Sequence, residues 1–161
     1  METARFCAVN NLHLISNEIY AKSVFDAKRP GIPAFSSILS LNLEGIIDSS
    51  LVHVVYGASK DFCANGLRLG VLQTRNVGLL ESVARLGELM YLCPAVLLDH
   101  SHLVAPFSWT PYLVQDLWAS MLEDVDFRAS FFEKSCRLAA ENYTVATQFL
   151  GEHGIPYYTG R

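Results

Sequence analysis

No stretch of this chain is rich in lysine or arginine. Its 12 basic residues stand against 16 acidic ones, for a formal charge of -4 and an isoelectric point near 5.7. A surface without a basic stripe does not grip a polyanion, so no nucleic-acid partner is expected. Cysteine is sparse: Cys7, Cys63, Cys93 and Cys136 lie far apart. They lack the close pairs that zinc sites and redox motifs need, and read as free thiols in a reducing compartment. The N-terminal METARFCAVNN has no charged start followed by an apolar run and a small-residue cleavage site. The longest apolar region, residues 77–98, is broken by Glu81, Arg85 and Glu88, which is too polar to span a bilayer. These absences point to a cytoplasmic, soluble protein with no membrane contact and no metal. There is also no internal repeat, low-complexity tract or linker.

What is present is a core. Of the 161 residues 51% are hydrophobic, a globular balance and the length of one ordinary domain. A chain of this size buries about 70% of the surface its unfolded form exposes. A mean hydropathy of +0.24 leaves apolar surface for further chain or for a partner.

Residues 12–16 and 51–56 are short β-rich runs, and residues 67–74 are a third candidate strand. Runs buried on both faces suit a mostly parallel sheet covered by helices. Between the first two, Arg29-Pro30-Gly31-Ile32-Pro33 excludes regular structure. The spacing of Leu79, Leu80, Val83, Leu86 and Met90 predicts a helix over 77–90. Pro111 precedes another over 112–122, whose apolar face holds Leu113, Leu117, Trp118 and Met121. Asp124 is placed to cap a long helix over 126–150, closed by Gly151 and Gly154. Residues 155–158 read as the start of an edge strand.

One segment carries chemistry: Ser59-Lys60-Asp61-Phe62-Cys63-Ala64-Asn65-Gly66-Leu67-Arg68-Leu69-Gly70, directly after the second strand. A lysine at a strand end, with an arginine eight residues later between glycines, suits a ligand that has an aldehyde at one end and a phosphate at the other. The amine reaches the aldehyde, and the planar guanidinium fork grips the phosphate with paired, charge-assisted hydrogen bonds. Gly66 and Gly70 are expected to let the backbone turn tightly beside the ligand. Ser59 adds a hydroxyl.

This run resembles the cofactor-lysine signature of class I/II aminotransferases, in the branch that contains 1-aminocyclopropane-1-carboxylate synthase. Upstream, His13-Leu14-Ile15-Ser16-Asn17-Glu18-Ile19-Tyr20 is similar to a strand end of that branch, and the interval between the two motifs matches. Residues 119–127 resemble the helix pair that leads into the family's small domain, so the likeness covers nearly the whole chain. It implies pyridoxal 5'-phosphate as cofactor, an amino acid or keto acid as substrate, and a homodimer. It implies an α/β fold in which residues 1–125 are part of a three-layer α/β/α large domain and residues 126–161 begin a small α+β domain. The family's glycine-rich loop would lie upstream and its carboxylate-binding arginine beyond Arg161, so a partial chain is expected.

Carried over residue by residue, Lys60 would hold the cofactor and move the substrate's α-proton. Arg68 and Ser59 would bind the phosphate, Tyr20 the phenolic oxygen, and Asn17 the ring nitrogen. Asn17 stands where the family has an aspartate, whose charge keeps that nitrogen protonated. Gly57 stands where the branch has a serine that contacts phosphate, and Cys63 replaces a frequent glycine. These departures support a second reading, a remnant without catalysis that binds a partner. Asp61 and Glu18 are taken as loop carboxylates, His100 and His102 as loop residues, and Trp109, Trp118, Phe131 and Phe132 as packing groups.

Overall fold

The computed structural model describes residues 1–25, 34–88 and 111–158, with the backbone alone for 84–88. The expectations for residues 28–33, Met90, Cys93, His100, His102 and Trp109 lie outside them. The described chain forms two compact units. One holds residues 1–19 and 37–118, the other residues 20–36 and 119–161.

The first unit opens with a helix that the sequence reading did not foresee, α1 (Glu2–Val9). It stops at the Asn10-Asn11 pair. Asn10 donates through Nδ2 to the Phe6 carbonyl (2.8 Å), and Asn11 turns the chain in the left-handed region, φ 51°, which asparagine tolerates. The chain then enters β1 (Leu14–Asn17), followed by β2 (Val52–Gly57) and β3 (Gly70–Thr74). All three fall on the expected runs.

One of the two pairings departs from the expected mostly parallel sheet. β1 and β2 are parallel, with Leu14 opposite Val52 and Asn17 opposite Val55. β2 and β3 are antiparallel, with His53 opposite Thr74 and Gly57 opposite Gly70. The sheet is therefore small and mixed, in the order β1-β2-β3. An apolar run reports burial and carries no record of strand direction. Here the return is made within residues 58–69, folded locally rather than as a crossover helix.

Two apolar clusters flank the strands. Ala4 and Cys7 of α1 join Ile47 and Val52 around the start of β2, with Leu14 and Leu43 packed against them. Around its end, Ala58, Leu69 and Trp118 form the second, with Tyr56, Val71 and Val114. Trp118 comes from α4 (Tyr112–Glu123), and it is the buried residue of that helix. Leu113 and Leu117, expected on the same apolar face, are exposed. α3 (Val77–Glu88) begins where Asn76 Oδ1 accepts from Leu79 N at 2.8 Å, and Leu79, Leu80 and Val83 are half-buried as the spacing predicts.

In the second unit α5 (Val125–Glu152) starts at Asp124, whose carboxylate accepts from Phe127 N at 2.8 Å, the cap read from the sequence. Phe127 and Phe131 stack at 5.5 Å, and Phe25 meets Tyr143 at 5.6 Å. Residues 155–158 are irregular and exposed. No neighbouring strand pairs with them among the described residues, so the expected edge strand does not form. Cys7, Cys63 and Cys136 are free thiols. Among the described residues no helix is long and apolar enough to cross a membrane.

Candidate functional site

Four of the five residues singled out by the sequence come to one end of the sheet in the first unit. Because β1 and β2 run parallel in register, Asn17 at the end of β1 lies opposite Val55, two residues before β2 ends. Ser59 and Lys60 follow on α2 (Ala58–Asp61), a single turn, and Arg68 stands two residues before β3. Carboxyl ends of parallel strands are where open α/β sheets take ligands. Tyr20, the fifth, opens the second unit, where it is exposed and its carbonyl accepts from Ser23 N at 3.0 Å.

The loop has a definite construction. The buried Ala58 donates its N–H to the Leu69 carbonyl (3.3 Å), and Ala64 donates to the Ala58 carbonyl (3.1 Å), so the loop is tied across its base. Cys63 and Arg68 both adopt the left-handed region, each with φ 53°. The sequence reading gave the turning role to Gly66 and Gly70, but neither has a positive φ. Gly70 instead sits in β3 opposite Gly57, and a Cβ on Gly57 would come within 3.0 Å of the Leu69 carbonyl oxygen. Gly57 thus lets two backbones meet, and a serine there would have to push them apart.

Lys60 and Arg68 are exposed and Ser59 is half-buried. Arg68 donates through Nη1 to the Asn65 carbonyl at 3.1 Å, a bond that restrains the guanidinium beside its own turn. Asn17 is exposed, and its Oδ1 accepts from Ile19 N at 3.3 Å. An amine, a hydroxyl, a guanidinium and an amide donor on one sheet end are a set that suits an aldehyde, a phosphate and a neutral ring nitrogen. An open hollow of about 620 Å³ lies elsewhere, lined by Ile38, Leu41, Leu43, Ile47, Val52 and Arg75 among others. It contains none of the candidate residues.

Several polar groups escaped the sequence reading. Glu18 and Asp61, expected as loop carboxylates, are withdrawn from solvent. They are 8% and 4% exposed, because each has donors that replace water. Glu18 Oε1 accepts from Ser16 Oγ (3.0 Å) and Ile38 N (2.9 Å), and Asp61 Oδ2 accepts from the Tyr56 hydroxyl (3.0 Å). Burial, reinforced by the Asp61 charge and hydrogen bond, holds the Tyr56 phenol well above its ordinary range. His53, 1% exposed, bridges His13 (Nδ1···Nε2, 2.7 Å) and Thr74 (Nδ1···Oγ1, 2.6 Å). Burial and the neighbouring His13 push its imidazole below the usual histidine value. A histidine inside a β-branched run was the available signal. No group of three or more His, Cys, Asp and Glu side chains suited to a metal occurs among the described residues.

The aminotransferase class I and II family model matches residues 1–161. Over 150 residues the chain is 31% identical to 1-aminocyclopropane-1-carboxylate synthase 1 of Prunus mume, which covers 93% of this chain and 26% of that protein. It is 50% identical over 72 residues to the probable aminotransferase sirI of Leptosphaeria maculans, covering 44% of this chain and 17% of the relative. To the trimodular acetylaranotin synthesis protein ataIMG of Aspergillus terreus it is 39% identical over 107 residues, covering 62% of this chain and 12% of the relative. The chain thus spans about a quarter or less of the length of these three proteins.

Proposed function

The chain belongs to the aminotransferase class I and II family, and from that premise we propose that it carries the cofactor lysine of a pyridoxal-phosphate-dependent enzyme acting on an amino acid or keto acid. The observation that supports this most is the placement of Ser59 and Lys60 on the turn closing β2, with Arg68 on the return to β3 and Asn17 at the end of the parallel neighbour. Two named relatives, a 1-aminocyclopropane-1-carboxylate synthase and a probable aminotransferase, leave elimination and amino transfer both open to it. The relative named for acetylaranotin synthesis favours a role in making a specialised metabolite.

When bound, pyridoxal phosphate supplies an aldehyde that condenses with amines and a ring that takes up electron density from the substrate's α-carbon. The chain's part is to hold and orient it. Lys60 would hold the aldehyde end of the cofactor and would move the proton at the substrate's α-carbon. The Arg68 guanidinium and the Ser59 hydroxyl would hold the phosphate oxygens. On the family resemblance alone, Tyr20 would take the phenolic oxygen. Asn17, whose Oδ1 accepts from Ile19 N, would offer its Nδ2 to the ring nitrogen.

A neutral donor there cannot hold the nitrogen protonated as a carboxylate does. Loss of one preorganised electrostatic partner is worth on the order of 3 kcal/mol, about two powers of ten in rate. This weakening, with the tight packing at Gly57, where a Cβ would stand 3.0 Å from the Leu69 carbonyl oxygen, favours a second reading: a chain with little chemistry that binds a partner. Incubation with pyridoxal phosphate, borohydride and peptide mapping separates the two, since the first predicts an adduct preferentially on Lys60. The homodimer, the cytoplasmic location and the division at residue 125 belong to the same proposal, and sedimentation of the full-length protein tests the first of them.

A further inference from the structure

Behind Lys60 lies a buried polar contact that the chemistry above does not use. α2 has only four residues and no side-chain cap at Gly57, and a single helical turn does not hold itself in water, since nucleation alone is unfavourable by about a factor of a thousand. Something outside it must fix its rotation. Ala58 and Asp61, three apart, share one face, and both point inward, 0% and 4% exposed. Ser59 and Lys60 occupy the other side, half-buried and exposed.

Alanine offers only shape. Asp61 offers a directional bond, because a carboxylate withdrawn from water is costly to bury without donors. The Tyr56 hydroxyl supplies one at 3.0 Å, a charge-assisted bond of the stronger kind. Tyr56 is itself held: its ring stacks on Trp118 at 6.5 Å between centroids, and Phe62, next after Asp61, meets the same indole edge-on at 6.4 Å. The phenol, kept protonated far above neutrality, remains a donor throughout any working pH.

We propose that the bond from the Tyr56 hydroxyl to the Asp61 carboxylate sets the rotation of α2, and so aims the Lys60 amine away from the core toward the ligand. Tyr56 and Asp61 are positioning residues: they act through the turn and touch neither cofactor nor substrate. This rests on the reading of Lys60 as the cofactor lysine.

The test uses the full 161-residue chain with pyridoxal 5'-phosphate as probe, borohydride fixation and peptide mapping of every lysine. Lys22, Lys28 and Lys134 serve as internal references. Wild-type protein labels Lys60 preferentially. Tyr56→Phe, which keeps the ring on Trp118, and Asp61→Ala both lower the Lys60 labelling rate by roughly tenfold to a hundredfold, the scale of a misplacement of about 1 Å. The other lysines are unchanged, and so is the far-ultraviolet circular dichroism. Asp61→Asn, whose amide oxygen still accepts from the phenol, restores most of the preference lost in Asp61→Ala. If either Tyr56→Phe or Asp61→Ala folds and labels Lys60 at the wild-type rate, the positioning role is overturned. If the wild-type chain itself labels its lysines indiscriminately, the cofactor reading fails and this inference goes with it, a result visible without any mutant.

Discussion

His13 Nδ1 and His53 Nε2 face each other at 2.7 Å, and only one of them can carry a proton at that contact. In the tautomer where His13 Nδ1 donates, His53 Nε2 accepts and His53 Nδ1 donates to Thr74 Oγ1. A second proton sets two N–H groups against each other and parts them.

This arrangement predicts the direction of the pH dependence. The folded-state pKa of His53 lies below its unfolded value of 6.5, so below about pH 6.5 the unfolded chain binds more protons than the folded one. The histidine's contribution to stability is complete above that pH and is lost as pH falls toward the folded pKa. Urea unfolding at about pH 7.5 and about pH 5.5 is expected to show lower stability at the acid value, with a smaller loss in His53→Gln. An equal loss in that variant would remove His53 from the account.

Cys63 occupies a left-handed position, φ 53°, where a Cβ is unfavourable by about 1 kcal/mol. Cys63→Gly is therefore expected to raise the thermal midpoint, against the usual effect of glycine. A lower midpoint would contradict the backbone geometry at the turn.

Gly57→Ser restores the residue of the related branch, but its Cβ would stand 3.0 Å from the Leu69 carbonyl oxygen. Overpacking of this kind destabilises by about 1–3 kcal/mol. The expected outcome is a lower denaturation midpoint with no gain in phosphate affinity, read by calorimetry with inorganic phosphate. A variant as stable as the parent would show that β2 and β3 separate easily here.

Asn17→Asp is expected to strengthen retention of pyridoxal phosphate, because a carboxylate stabilises a protonated ring nitrogen and can still accept from Ile19 N. Gel filtration after loading measures it. An unchanged dissociation rate would place Asn17 away from the ring.

The strands, the Asp124 cap and the lysine-arginine loop were legible because each depends on local pattern: β-branched runs, a carboxylate before a helix, a spacing of eight. What escaped depends on how the chain turns and pairs beyond any local pattern. Tyr56 reaches Asp61 only because β2 turns back through α2, and His53 meets Thr74 only in the antiparallel register. The antiparallel direction of β3 is not legible either, since burial on two faces reads alike in parallel and antiparallel strands. Leu113 and Leu117 had the spacing of a core face yet remain exposed, because periodicity predicts a stripe and says nothing of what covers it. The left-handed turns fell to Cys63 and Arg68, residues whose composition gives no sign of it.

The most direct test of the central claim is spectroscopic. Purified chain incubated with pyridoxal 5'-phosphate is predicted to develop a visible absorbance that borohydride removes, leaving a reduced adduct on the peptide containing Lys60, and Lys60→Ala is predicted to abolish both. A band of equal strength in Lys60→Ala, or an adduct confined to Lys22, Lys28 or Lys134, would contradict it.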